Sequence, residues 1–80
     1  MFSRVVVLAG PAISDYRGIQ GRNKAIIKRV INALKALAKD PSRGRRLRLG
    51  LKELWVYRIG IYKIIYGAET NLLKIYAIRY

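Results

Sequence analysis

Residues 54–66, with the sequence LWVYRIGIYKIIY, are the stretch that most strongly indicates the fold of this chain. Two stretches rich in aromatic and β-branched residues stand on either side of Gly60, and glycine readily adopts the positive φ that a tight turn often needs. The pattern therefore predicts a β-hairpin. Because strand pairing would bring Arg58 and Lys63 onto neighbouring strands with their side chains pointing out of the sheet, these two cations also predict an anion site.

The chain before the hairpin predicts one strand and two helices. Residues 2–8 are rich in β-branched side chains and end before a Gly-Pro pair, where proline suits the first turn of a helix. A short helix from Pro11 to about Ile19 follows, and Asn23 is a candidate N-cap. From Lys24 to Lys39 apolar residues recur every three or four positions, which predicts a helix with one buried face that ends at Asp40-Pro41.

The chain around and after the hairpin predicts further strands. Residues 42–50 begin as a charged loop and then alternate basic with apolar side chains, as a half-exposed edge strand does, and residues 72–79 form a last strand. The fold class is α+β, with two N-terminal helices packed on one face of a small twisted antiparallel sheet in the order β-α-α-β-β-β. Eighty residues predict a single domain, 1–80.

The composition limits both partners and chemistry. Seventeen basic and four acidic residues give a formal charge of +13, which favours a polyanionic or acidic partner. The absence of cysteine and histidine excludes the usual zinc ligands, a thiol nucleophile and a Ser-His-Asp triad. The four carboxylates are widely separated, which argues against two-metal or glycosidase chemistry. We therefore expect no metal and no cofactor, and any catalysis must use Lys, Arg, Tyr or a carboxylate.

The N-terminal sequence bears on localisation. Its apolar stretch is too short to span a bilayer, and its charge placement is wrong for a signal peptide, so we expect a cytoplasmic protein that does not bind membranes. Scarce Asn and Gln, absent Cys and abundant Lys, Arg, Ile and Tyr are typical of a thermophile protein, whereas the low Glu content is not.

Several stretches together resemble the RelE/ParE superfamily of toxins from type II toxin–antitoxin modules. These stretches are residues 36–41 (ALAKDP), 47–48 (LR), 51–52 (LK), 54–55 (LW), 57–60 (YRIG) and 62–66 (YKIIY). The resemblance covers roughly the whole chain and is strongest from Ile26 to Ile78. It implies a RelE-like fold. It also implies a metal-independent endoribonuclease that cleaves messenger RNA on the ribosome, where the ribose 2′-hydroxyl attacks its own phosphate and cations stabilise the developing charge.

The resemblance also implies a set of catalytic residues. Lys63 matches a family arginine that contacts the phosphate, and Arg58 matches a frequent basic neighbour. Many relatives carry further catalytic groups in a segment beyond the position of Tyr80, and Arg79 and Tyr80 are candidates to replace them. The candidate catalytic residues are thus Arg58, Lys63, Arg79 and Tyr80. The chain departs from active relatives at Leu54 and Val56, where those relatives often have basic residues.

Two further groups of residues are candidates for binding. A dense basic cluster predicts nucleic-acid contact, although a flexible charged loop is the alternative; it comprises Arg43, Arg45, Arg46, Arg48 and Lys52. Leu54, Val56 and Ile61 are apolar residues predicted on an exposed surface, which usually indicates a contact with a partner. That partner is an antitoxin segment or, alternatively, a second copy of this chain in a homodimer.

Three functions remain open from the sequence. The first is a RelE-like toxin that binds the ribosome and mRNA and is inhibited by a cognate antitoxin. The second is a non-catalytic member, either a ParE-like toxin that inhibits gyrase or a decayed toxin that binds only its antitoxin. The third, suggested by charge alone, is a small basic nucleic-acid-binding protein.

Overall fold

The computed structural model describes residues 3–50 and 52–80, without the side chains of Leu49 and Lys52. Its helices and strands are, in chain order, β1 (Val5–Leu8), α1 (Gly10–Arg22), α2 (Lys24–Lys39), β2 (Arg45–Leu49), β3 (Lys52–Ile59), β4 (Tyr62–Ala68) and β5 (Leu72–Arg79). A single 3₁₀ turn, Pro41–Arg43, connects α2 to β2. Phe2, where the first predicted strand begins, lies outside the described residues.

The strands form one five-stranded sheet in the order β1-β5-β4-β3-β2. The strands β2 to β5 pair antiparallel with their neighbours, whereas β1 runs parallel to β5. The predicted α+β fold, with two helices packed on a small sheet, is confirmed. The sheet is mixed rather than antiparallel throughout, because strand propensity indicates that β1 is extended but not which way it runs beside the last strand of the chain.

The hydrophobic core lies between the two helices and one face of the sheet. From α2 it takes Ile27, Val30, Ala33, Leu34, Leu37 and Ala38, and from the strands it takes Ile59, Tyr62, Ile64, Tyr66, Leu73, Ile75 and Ile78. Trp55 and Tyr57 are half-buried and pack against this core. Trp55, Tyr57 and Ile59 therefore face the helices, and the predicted buried face of α2 is confirmed.

The two helices meet at Asn23. Its side-chain oxygen accepts a hydrogen bond from the Ile26 backbone N–H at 3.1 Å, which confirms it as the N-cap of α2, and its own N–H donates to the Ile19 carbonyl, which closes α1. The predicted end of the first helix near Ile19 was too early, because α1 continues through Gly21 to Arg22 and ends only at this shared cap. Neither of these two described helices combines the length and apolar character needed to cross a membrane.

The predicted hairpin is formed by β3 and β4. Gly60 adopts φ +58° in the turn, the left-handed conformation that glycine tolerates best. Ile59 pairs with Tyr62, and Arg58 pairs with Lys63. Residues directly opposite each other in an antiparallel pair share a face of the sheet, so the pairing of buried Ile59 with buried Tyr62 places Arg58 and Lys63 together on the other face.

Candidate functional site

The sheet face opposite the helices, called the open face here, carries the predicted cations. Arg58 and Lys63 are both exposed on it, directly across from each other at the end of the hairpin. Arg45 in β2 lies opposite Val56 in β3, and the strand alternation places this pair on the same face. The structure therefore brings Arg45, Arg58 and Lys63 to one surface.

A groove runs across this surface between β2 and the hairpin. The basic groove has a volume of about 810 Å³ and is lined by Arg43, Gly44, Arg45, Leu47, Val56, Tyr57, Arg58 and Lys63. Four of these residues are cations and none is a carboxylate. An extended polyanion would meet positive charge along both sides of such a groove, which is the arrangement that binds a nucleic-acid backbone.

A second groove, the tip groove, continues at the turn of the hairpin. It has a volume of about 410 Å³ and is lined by Arg58, Gly60, Ile61, Lys63 and Tyr80. Arg58 and Lys63 line both grooves, so these two cations stand at the junction between them. Of the residues that the sequence singled out, they are the most centrally placed.

The backbone that carries Arg43 and Arg45 is held by Tyr66. This buried side chain extends from β4, donates its hydroxyl hydrogen to the Pro41 carbonyl at 2.6 Å and accepts from the Gly44 N–H at 3.1 Å. A Cβ at position 44 would overlap the Tyr66 hydroxyl and lie 2.9 Å from the Val56 carbonyl, so the backbone approaches this closely only with glycine. Burial raises the pKa of the Tyr66 phenol, with the Gly44 hydrogen bond opposing it, and the phenol stays neutral at physiological pH.

The 3₁₀ turn before the basic groove is stabilised by Asp40. Its carboxylate accepts hydrogen bonds from the Ser42 hydroxyl at 2.5 Å and from the Ser42 backbone N–H at 3.1 Å. These two bonds, assisted by the nearby positive charge of Arg43, lower the pKa of the Asp40 carboxyl. Asp40 and Tyr66 together define where the chain enters β2.

Strand alternation divides the predicted arginine cluster between the two faces of the sheet. Arg46 lies opposite Trp55 on the helix side, where its guanidinium is 5.5 Å from the Trp55 ring centroid and 2.7 Å from the Glu53 carboxylate. Arg48 lies opposite Glu53 on that same side. Only Arg43 and Arg45 of the cluster line the basic groove, and the Lys52 side chain lies outside the described part of the chain.

The candidate catalytic residues at the C-terminus do not line the basic groove. Arg79 lies across from Lys63 in the sheet, but its Nε is 3.3 Å from an Asp15 carboxylate oxygen, which also accepts from the Ile78 N–H at 3.0 Å. Tyr80 packs its ring edge-on against Tyr62, with the ring centroids 5.2 Å apart. The structure brings Arg58 and Lys63 together, places Tyr80 at the border of the tip groove and holds Arg79 on a separate cavity beside Asp15.

The apolar residues predicted to bind a partner lie beside these cations. Ile61, at the hairpin turn, is 68% exposed, and Leu54 and Val56 are half-buried on the open face. Leu47, which lies opposite Leu54, is also exposed and was not among the residues predicted to bind a partner. The open face is therefore a mixed surface in which aliphatic side chains alternate with arginine and lysine.

Sequence reasoning missed the residues that position the site through distant contacts. Tyr66 and Gly44 are 22 positions apart, and no local pattern indicates that a tyrosine hydroxyl would bind that glycine. From the sequence, Asp15 was only an isolated carboxylate in a predicted helix. Arg29 lies on the face of α2 next to Ala33 and Ala36, and a helical projection could have placed it beside the sheet.

Comparison with known proteins identifies the family. Residues 6–80 match the family model for the ParE toxin of the type II toxin–antitoxin system parDE. The fold is similar to the YoeB dimer from Staphylococcus aureus, with a TM-score of 0.86, 19% identity and coverage of 98% of this chain and 97% of that one. It is also similar to the RelBE2 toxin–antitoxin complex from Mycobacterium tuberculosis, with a TM-score of 0.79, 22% identity and 98% coverage of both chains.

The YoeB/ParE toxin from Agrobacterium tumefaciens gives a TM-score of 0.81 at 13% identity, with coverage of 94% of this chain and 95% of that one. A search of curated proteins finds no significant match. The family model spans nearly the whole sequence, and the mixed sheet with two helices on one face is the fold shared with these toxins. The chain therefore belongs to the ParE toxin family of type II toxin–antitoxin systems, within the RelE/ParE superfamily.

Proposed function

We propose that this toxin cleaves messenger RNA on the ribosome and that the basic groove holds the ribose-phosphate chain. The observation that carries the proposal is the position of Arg58 and Lys63, which lie opposite each other on the open face and line the basic groove with Arg43 and Arg45, with no Asp or Glu among the described residues that line it. Uncompensated cations in a groove attract a polyanion and stabilise charge that develops on it.

The chemistry that fits these residues is an intramolecular displacement. The ribose 2′-hydroxyl attacks the adjacent phosphorus and loses its proton to water, the bond from phosphorus to the 5′-oxygen breaks, and a 2′,3′-cyclic phosphate forms. Arg58 stabilises the negative charge on the phosphoryl oxygens. Lys63 donates a proton to the departing 5′-oxygen. The ribosome supplies the in-line geometry, so positioning and electrostatics replace a strong base.

The relatives support an antitoxin as the physiological partner. The S. aureus YoeB toxin is found in a complex with YefM, and the M. tuberculosis toxin in RelBE2. We propose that a cognate antitoxin covers the open face, with acidic residues on the basic groove and apolar residues on Ile61, Leu54 and Val56. A homodimer of the kind described for S. aureus YoeB is the alternative use of this surface. We place the protein in the cytoplasm as a single toxin domain, 1–80.

The test is ribosome-dependent cleavage of a defined mRNA, with the ends mapped by primer extension. We expect the wild type to cut and Lys63→Ala to cut about 10²–10⁴ times more slowly, the loss typical of removing a positioned proton donor. Lys28→Ala is the matched control, because Lys28 is exposed on α2 and lines neither groove. No cleavage by the wild type, or equal cleavage by wild type and Lys63→Ala, would contradict the proposal.

A second candidate function is favoured by the C-terminal residues. Arg79 is paired with Asp15, and Tyr80 packs on Tyr62, so neither lines the basic groove with Arg58 and Lys63. A non-catalytic toxin of this family would act by binding alone, and inhibition of gyrase is the activity to test. Loss of gyrase supercoiling activity on adding the protein, together with intact mRNA in the ribosome assay, would support this second function instead of the first.

A further inference from the structure

Part of strand β3 has a free edge beside helix α2. Among the described strands, β2 pairs with β3 only as far as Val56, which lies opposite Arg45, so Tyr57, Arg58 and Ile59 are paired only with β4. A shallow groove follows this free edge on the helix side of the sheet. This α2 groove has a volume of about 280 Å³ and is lined by Arg29, Asn32, Ala33, Ala36, Tyr57, Arg58 and Ile59.

Two side chains of α2 offer hydrogen-bond donors to this groove. Arg29 is exposed, and one of its guanidinium nitrogens lies 3.8 Å from where a Cβ on Gly60 would stand, so the cation sits against the hairpin turn. Asn32, three residues later on the helix, is also exposed. Within the described residues, neither Arg29 nor Arg58 hydrogen-bonds to a carboxylate, so their charge is available to a ligand.

The α2 groove and the basic groove lie next to each other. Tyr57 and Arg58 line both of them, so a path passes from the open face, around the free edge of β3, to Arg29 on the helix side. We propose that Arg29 and Asn32 form a second subsite for RNA, which takes a phosphate and ribose of the same strand that the basic groove binds. The inference rests on the proposed function and extends it to the flanking nucleotides.

The chemistry of this subsite favours RNA over an acidic peptide. Arg29 provides a planar, permanently charged donor for a phosphate, and the Asn32 amide both donates to and accepts from a ribose 2′-hydroxyl. A peptide that added a strand to the free edge of β3 would find only Tyr57, Arg58 and Ile59, fewer residues than the five or six of an average strand. RNA repeats its charge at every nucleotide and bends easily around a short edge.

The test compares RNA oligonucleotides of two lengths by fluorescence anisotropy at several salt concentrations. A trinucleotide occupies only the basic groove, whereas a dodecanucleotide also reaches the α2 groove. We expect Arg29→Ala with Asn32→Ala to weaken binding of the dodecanucleotide about two- to fivefold, as for an exposed charge contact, and to leave the trinucleotide unaffected. The slope of log affinity against log salt for the dodecanucleotide should become shallower by about 0.7 for the one phosphate lost.

Two controls keep this test separate from that of the proposed function. Lys28→Ala removes a neighbouring positive charge outside the α2 groove and should change neither affinity, and far-UV circular dichroism verifies that each variant is folded. Arg58→Ala should weaken both oligonucleotides. If Arg58→Ala weakens RNA binding and the Arg29/Asn32 variant does not, the second subsite is wrong and RNA binding in the basic groove is supported. If neither variant weakens RNA binding, the role of the basic groove in the proposed function is contradicted as well.

An acidic dodecapeptide completes the comparison. If the Arg29/Asn32 variant loses affinity for this peptide and keeps full affinity for the dodecanucleotide, the α2 groove belongs to an acidic protein partner and the proposal is overturned.

Discussion

The hydroxyl of Tyr66 links the core of the protein to the chain segment that carries two of the groove cations. We expect Tyr66→Phe to lower the free energy of unfolding by about 1–3 kcal/mol, because it leaves the Gly44 N–H and the Pro41 carbonyl without their partner. Urea denaturation measures this loss. The phenylalanine ring retains the packing, so the effect isolates the two hydrogen bonds.

Tyr76→Phe is the matched control for this measurement. The Tyr76 ring covers Gly67 on the open face and lies 5.4 Å from the Lys74 ammonium, and its hydroxyl has no hydrogen-bond partner among the described residues. We expect this control to change stability by less than about 0.5 kcal/mol. Equal losses in the two variants would show that Tyr66 does not hold the loop through its hydroxyl.

Asp40 makes the stability of the segment between α2 and β2 depend on pH. Its carboxyl has a pKa lowered by the two hydrogen bonds from Ser42, so the folded state binds this proton less readily than the unfolded chain does. The resulting stabilisation is complete above the ordinary pKa of 3.8 and is lost as the pH falls through the lowered pKa of the folded state. Asp40→Asn retains an acceptor for Ser42 but does not titrate.

We therefore expect the wild type to be more stable than Asp40→Asn at neutral pH, and the difference to shrink as the pH falls below the ordinary pKa of 3.8. Urea titrations of both proteins at several pH values measure the two curves. Parallel curves for the two proteins across the acidic range would rule out this role for the carboxylate.

At the scale of elements, the end of β5 is protected by a helix side chain. The strand β1 ends at Leu8 opposite Ile75, so the last residues of β5 have no strand neighbour on that side within the described part of the chain. Asp15 of α1 accepts a hydrogen bond from the Ile78 N–H there. We expect Asp15→Ala to cost about 1 kcal/mol and to accelerate hydrogen exchange of the Ile78 amide. Asp15→Asn keeps an acceptor and should lose less.

The exchange rate of a single amide makes this prediction specific. An Ile78 amide that exchanges equally slowly in the wild type, Asp15→Ala and Asp15→Asn would contradict it, whatever the overall stability of the variants.

The elements that the sequence predicted best are those set by local chemistry. The helix α2 has the predicted bounds, Lys24–Lys39, because a side-chain cap at Asn23 and the Asp40-Pro41 pair fix its ends. The hairpin follows from Gly60 and the two flanking strands, and its register brings Arg58 opposite Lys63 as expected. Both depend on contacts between residues close in sequence.

The rest of the candidate site depends on contacts that sequence patterns do not encode. Alternation in β2 was visible, but only the register with β3 decides that Arg46 covers Trp55 while Arg45 faces the groove. The position of Arg79 is set by Asp15, 64 residues away, although strand alternation alone would direct it toward Lys63. Such long-range contacts determine which cations lie on the same surface. The composition shows only that the chain has many cations.

At the scale of the whole molecule, net charge acts on folding and on binding in opposite directions. The formal charge of +13 makes the folded chain repel itself, and few of its cations are paired within the described residues. Salt screens this repulsion, with a Debye length of about 10 Å at 0.1 M, and should stabilise the free protein. The same salt should weaken RNA binding, because the counterions that binding releases gain less entropy when the salt concentration of the solution is high.

Replacing Lys24 and Lys28 by glutamate separates these two effects. Both lysines are exposed on α2 and line neither the basic groove nor the α2 groove, and the change lowers the formal charge from +13 to +9, since each replacement removes two charges. We expect the stability of this variant to rise less steeply with salt than that of the wild type. Its binding of the trinucleotide should keep the wild-type salt slope, about −1.4 for the two phosphates that a trinucleotide carries. If the binding slope instead falls along with the stability slope, RNA is held by the total charge of a small basic protein rather than by Arg43, Arg45, Arg58 and Lys63.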